Sequence, residues 1–105
     1  MTDARDKTDL ILAKVWARVR PVVEERLVTL DQASAAALAG TLSQDLRKVA
    51  ASEAHKLAGS LGMYGYDEGT RVARQLEVLL GGAAPDATRL HALIAELRSA
   101  VFPAA

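Results

Sequence analysis

Residues 43–65 read SQDLRKVAASEAHKLAGSLGMYG, and this stretch decides the fold. At about 100° per residue on a helical wheel, Leu46, Ala50, Ala54, Leu57 and Leu61 cluster on one side. Ser43 is placed to cap the start, and Asp45 falls in the first turn, where the helix dipole favours an anion. The pattern predicts a helix from Ser43 to about Met63, with Gly62 and Gly65 available to stop it. One apolar stripe on an otherwise small and polar helix requires other helices to cover it.

The flanking sequence supplies them. Leu12, Val15, Trp16, Val19, Val23, Leu27 and Leu30 fall on one stripe and predict a helix from about Thr8 to about Leu30, with Thr8 or Asp9 as its cap. Pro21 lies inside this run and is expected to kink or split it. An alanine-rich short helix is expected from Gln32 to Ala39, ended by Gly40. Asp67 opens another helix to about Leu80, with Val72, Leu76, Leu79 and Leu80 apolar. After Gly81-Gly82 and Pro85, Asp86 starts a last helix carrying Leu90, Leu93, Ile94, Leu97 and Val101. No alternating β-branched run suggests a strand. Short connections between amphipathic helices favour antiparallel neighbours. The expected fold is all-α, an up-and-down four-helix bundle with an extra short helix, in one domain over residues 1–105. Loose tails are expected at residues 1–7 and 103–105.

Composition narrows the function classes. Lys+Arg 13 balance Asp+Glu 13, so no charge excess draws the chain to nucleic acid or to an acidic membrane surface. Cys 0 removes disulfides, thiolate catalysis and cysteine metal sites. No apolar run reaches the roughly 18–20 residues of a membrane span, and the start, MTDARDKTDL, lacks a signal-peptide core. The expectation is a cytoplasmic monomer. Histidines at 55 and 91 form no metal set, and no Gly-rich phosphate loop follows a strand. His91, beside the stripe of the last helix, reads as an ordinary solvated residue. Met63, Tyr64 and Tyr66 read as packing residues at a helix turn, and Trp16 and Phe102 have no chemical company in the sequence.

His55 stands out. It points nearly opposite the apolar cluster of its helix, so it faces outward. Its neighbours one turn away are Ala51, Ser52, Ala58 and Gly59, with Gly62 two turns away, and all are small. Glycine inside a helix costs about 0.5–1 kcal/mol relative to alanine. A surface cleared at that cost suits close approach of another molecule to the imidazole. The plain alternative is that an alanine-rich chain produces small neighbours by composition alone.

The segment Ala54-His55-Lys56-Leu57-Ala58-Gly59-Ser60-Leu61-Gly62-Met63-Tyr64-Gly65 resembles the phosphorylation motif of histidine-containing phosphotransfer (HPt) domains, the four-helix carriers of two-component signalling. The family pattern runs Ala-His-x-Leu-Lys-Gly-Ser, then small residues, then Leu-Gly or Phe-Gly. A downstream Leu-Glu or related pair is matched by Leu76-Glu77. The resemblance implies that His55 accepts the phosphoryl group on Nε2. It also implies that Glu77 orients it through Nδ1. Ala51, Ser52, Lys56, Ala58, Gly59, Gly62, Arg71 and Arg74 would then contribute to the docking surface. The implied partners are a histidine kinase and response-regulator receiver domains. The chain would need no cofactor of its own, since the receiver brings Mg²⁺, and it would be a carrier rather than an enzyme.

One position departs from the pattern. Where the family commonly has lysine, three residues after the histidine, this chain has Ala58. Lys56, Arg71 and Arg74 are the candidates to replace that cation, or the partner supplies all the positive charge. The departure keeps a second reading open, a phosphate-independent helical docking module that retains the fold. A small helical enzyme is a third reading, and no set of acid, base and nucleophile supports it.

Overall fold

A computed structural model describes residues 4–103. Helix α1 spans Ala4–Leu38, α2 Gln44–Leu61, α3 Asp67–Gly81 and α4 Ala87–Val101, with a 3₁₀ turn at Gly62–Tyr64 between α2 and α3. The fold is all-α. Each helix packs against its two neighbours in a ring, α1 on α2 and α4, and α3 on α2 and α4. The core is built from aliphatic side chains, among them Leu27, Leu30, Leu57, Leu61, Leu76, Leu80, Leu90 and Leu97.

The first helix differs from expectation in three ways. It starts at Ala4, so Thr8 and Asp9 lie inside it rather than at its cap. It passes through Pro21 without splitting. Proline deprives the Ala17 carbonyl of its partner, but both residues are at exposed positions where water can replace the bond. Trp16, Val19, Val23 and Leu27 hold the helix to the bundle on either side. The separate short helix expected at Gln32–Ala39 is the last part of α1. No glycine or proline interrupts the chain there, Ala33 and Ser34 are buried, and Asp31 is tied to Arg98 of α4 at 2.7 Å. The expected loose ends at 1–3 and 104–105 lie outside the described residues; residues 4–7 are helical.

At about 1.5 Å per residue, α1 outruns its partners by several turns. Leu12 and Val15 of its stripe are therefore exposed, along with Leu10 and Ile11. Where α1 meets the bundle, Trp16 packs against Tyr66, Tyr64 and Phe102, with ring centroids 4.7, 5.5 and 6.1 Å apart. The guanidinium of Arg20 sits 4.8 Å above the Phe102 ring. Met63, expected to pack here, is instead exposed.

Two left-handed glycines turn the chain. Gly40 (φ 73°) closes α1, with Thr41 N–H donating to Ala36 O at 2.8 Å and Gly40 N–H to Ala37 O at 3.1 Å. Gly65 (φ 84°) repeats the device after the 3₁₀ turn, with Tyr66 N–H donating to Leu61 O. These paired bonds satisfy the carbonyls left open at a helix end. Gly62 is the C-cap of α2 but stays right-handed (φ −61°), so the chain runs on into the 3₁₀ turn and reverses only at Gly65. Ser43 caps α2 by accepting from Leu46 N–H at 3.1 Å, and Asp86 caps α4 by accepting from Arg89 N–H at 2.9 Å. Arg47 donates to Leu80 O at 2.6 Å, so the start of α2 ties off the end of antiparallel α3.

Candidate functional site

His55 sits mid-way along α2, between the buried positions Ala54 and Leu57. Its own side chain is 72% exposed. Across the α2–α3 seam, Oε1 of Glu77 lies 2.7 Å from His55 Nδ1. A carboxylate only accepts, so Nδ1 carries the proton and donates, and the neutral ring then presents its lone pair at Nε2. Nε2 has no hydrogen-bond partner among the described residues. The seam is close-packed because Ala50, Ala54, Leu57 and Leu61 meet Val72, Ala73, Leu76 and Leu80 with almost no exposure. That packing sets the separation at which a glutamate on α3 reaches an imidazole on α2.

A pocket of about 250 Å³ opens beside the pair, lined by His55, Ala58, Gly59, Arg74 and Glu77. Gly59 is exposed, and a Cβ added to it would meet nothing within 4 Å. Ala58 is not on the open face: it is 7% exposed. It is about 60° round the helix from His55 on the side of α3, which turns it into the seam. Ala51 is half-buried, while Ser52 and Lys56 are exposed. Gly62 is exposed but turned toward α3, where an added Cβ would come 3.3 Å from Thr70 Oγ1.

The three candidate cations separate. Lys56 Nζ is 3.7 Å from Glu53 Oε1, and Glu53 also accepts from Arg26 of α1. Arg71 hydrogen-bonds Glu68 and reaches Glu96 of α4 at 3.2 Å, away from the pocket. These carboxylates hold the Arg71 guanidinium's pKa above its usual range, and the Arg71 hydrogen bond holds the Glu68 carboxyl below its own. Arg74 alone of the three lines the pocket, and it has no hydrogen bond or ion pair among the described residues. Sequence reasoning did not distinguish Arg71 from Arg74; the partner that separates them, Glu96, lies 25 residues away from Arg71. His91 is exposed and outside the site. Among the described residues, no group of three His, Asp or Glu side chains is arranged to hold a metal ion. None of their helices is long and apolar enough to cross a membrane.

Comparison with known families finds a match to the Hpt domain over residues 15–101. The chain belongs to the Hpt domain family. This Hpt domain thus belongs to a family of phosphotransfer carriers of two-component signalling. It is also similar to protein RcaC of Microchaete diplosiphon, with 32% identity over 81 residues. The aligned part is 77% of this chain and 12% of RcaC, so the Hpt domain spans a small part of that relative's length. No solved structure gives a significant match.

Proposed function

We propose that His55 is the phosphoacceptor, taking a phosphoryl group from a receiver-domain aspartate or a histidine kinase and passing it to a response regulator. The observation that supports this reading most directly is the held imidazole: Nδ1 engaged by Glu77 at 2.7 Å and Nε2 without a partner on an exposed ring. In transfer from a receiver, the Nε2 lone pair attacks the phosphorus of the aspartyl phosphate. The N–P bond forms, the P–O bond to the aspartyl carboxyl breaks, and the carboxylate leaves with its electron pair. The ring becomes a phosphoimidazolium, with its Nδ1 proton still donated to Glu77, whose charge offsets that of the ring. The reverse sequence returns the group to another receiver. Phosphoryl transfer depends on positioning and charge stabilisation. The receiver brings Mg²⁺, and the carrier brings the oriented nucleophile and needs no cofactor or catalytic activity of its own. Gly59, Ser52 and Lys56 lie on the face the receiver would approach.

Ala58, in place of the family's usual lysine, favours the second reading, a docking module that binds partners without phosphorylation. One experiment separates the two. Incubation with a phosphorylated receiver should label the wild-type chain with acid-labile, base-stable phosphate. The label should be absent from His55→Gln, which keeps the helix but has no ring nitrogen, and present in His91→Gln. Labelling that survives in His55→Gln would remove the assignment, and receiver binding without any labelling would establish the docking module.

A further inference from the structure

We infer that Arg74, on α3, is the cation that binds the phosphoryl group once it is on His55, an inference that rests on the assignment of His55 above. The pocket beside the imidazole is lined by five residues, of which Ala58 and Gly59 contribute bulk-free walls and His55 and Glu77 are occupied with each other. Arg74 is the remaining polar member.

Its guanidinium is free at the place where a phosphoryl group would be. The guanidinium groups of Arg20, Arg26, Arg71 and Arg98 are each paired with a carboxylate, and that of Arg47 with a backbone carbonyl. Arg18 and Arg89 are, like Arg74, unpaired among the described residues, but of these three only Arg74 lines the pocket. Arg74 is spaced three residues from Glu77, a separation at which oppositely charged side chains on a helix normally pair. They do not pair here, because Glu77 is turned to His55. The result is an unneutralised guanidinium at the wall of the pocket that holds the proposed nucleophile.

A phosphoryl group on Nε2 creates the need for it. The group carries up to two negative charges on three oxygens and would be placed on the same ring that Glu77 holds, so like charges are brought together. A guanidinium offers a planar fork of donors suited to phosphate oxygens. Arg74 is long enough to swing over the small walls at Ala58 and Gly59 without displacing a side chain, and it gives up no existing partner in doing so. Lys56 and Arg71 would each have to leave a carboxylate.

The test uses the phosphorylated domain itself, prepared with phosphoramidate as a small phosphoryl donor, and follows the phosphohistidine ³¹P resonance through a pH titration. A nearby cation favours the dianion. Replacing Arg74 by alanine should therefore raise the pH at which the phosphoryl group loses its last proton by about 0.5–1 unit, a three- to ten-fold change. Arg74→Lys should recover part of the shift. Arg89→Ala, which removes an equal charge from a side chain outside the pocket, should titrate like wild type, as should the thermal midpoint of all three variants. Receiver-to-carrier transfer should favour the carrier about three- to ten-fold less in Arg74→Ala. A wild-type titration point in Arg74→Ala, or an equal shift in Arg89→Ala, would overturn the inference and leave His55 as acceptor. Absence of a His55-dependent phosphohistidine resonance in the wild type would instead remove the assignment on which it rests, and the inference with it.

Discussion

Glu77 Oε1 lies 2.7 Å from His55 Nδ1, although the two residues are 22 positions apart and on different helices. A proton on Nδ1, donated to this carboxylate, leaves the lone pair of the ring on Nε2. Glu77→Ala should leave the fold intact, because its side chain is 38% exposed and on the rim of the seam. Transfer to His55 should slow about 10-fold, equivalent to about 1.4 kcal/mol in the barrier. Imidazole ¹⁵N shifts measure the cause directly: the Nδ1–H form should dominate in wild type and lose ground to the Nε2–H form in Glu77→Ala. Equal tautomer ratios in the two proteins would mean that Glu77 does not orient the ring.

The helices and the outward direction of His55 were legible in the sequence, because both depend on a 3.6-residue period that one segment carries alone. The continuity of α1 was not. A proline and a change from valine-rich to alanine-rich sequence suggest breaks at Pro21 and near Asp31. The chain stays helical because Val23, Leu27, Leu30 and Ala33 are all held in the core, and core contacts are not a local property. Ala58 and Arg71 follow the same logic. The wheel places Ala58 beside His55, but the approach of α3 buries it, and Glu96 of α4 draws Arg71 away from the site.

The Glu68–Arg71 pair predicts a specific acid response. The hydrogen bond from Arg71 lowers the Glu68 pKa from its ordinary value of 4.5, and both groups are on the surface. A carboxyl with a depressed folded-state pKa contributes stability above its unfolded value, and loses that contribution as pH falls through the folded value. The pair should therefore stabilise α3 at neutral pH and cease to do so below the ordinary carboxylate range. A carboxyl ¹³C titration should find Glu68 below 4.5 in wild type and near 4.5 in Arg71→Ala. High salt should shrink the difference, as expected for an exposed pair. Identical Glu68 titrations in the two proteins would refute the coupling.

Gly65 isolates a backbone effect. Its φ is 84°, and a Cβ there would meet nothing within 4 Å. Gly65→Ala should thus lose only the left-handed conformational preference, about 1–2 kcal/mol. Urea denaturation should report that loss with an unchanged m-value. A loss under about 0.5 kcal/mol would indicate that the turn relaxes to a right-handed alternative.

Gly59 and Gly69 are both helical and should respond to alanine with opposite signs. Beside Gly59 the added methyl meets open space, so Gly59→Ala should stabilise the domain by up to about 1 kcal/mol through helix propensity. At Gly69 the same methyl would come 3.0 Å from Val101 Cγ2 and 3.2 Å from Leu61 Cδ1, where α2, α3 and α4 converge. Val101 is stiff at χ1 and cannot swing aside. Overpacking of this kind costs about 1–3 kcal/mol and should exceed the propensity gain. Thermal melting of the two variants checks the pair of signs. The open space at Gly59 also separates docking from chemistry. Gly59→Gln should fold normally, because its side chain enters solvent, yet it would stand next to His55, where a receiver donating to the proposed acceptor would have to bring its aspartyl phosphate within about 3–3.5 Å of the ring nitrogen. Transfer from a phosphorylated receiver should fall at least about 10-fold, while labelling by the much smaller phosphoramidate should change little. If the folded variant accepts phosphate from the receiver at the wild-type rate, the docking surface does not include Gly59; if both donors fail alike, the glutamine disturbs His55 itself rather than the approach of the partner.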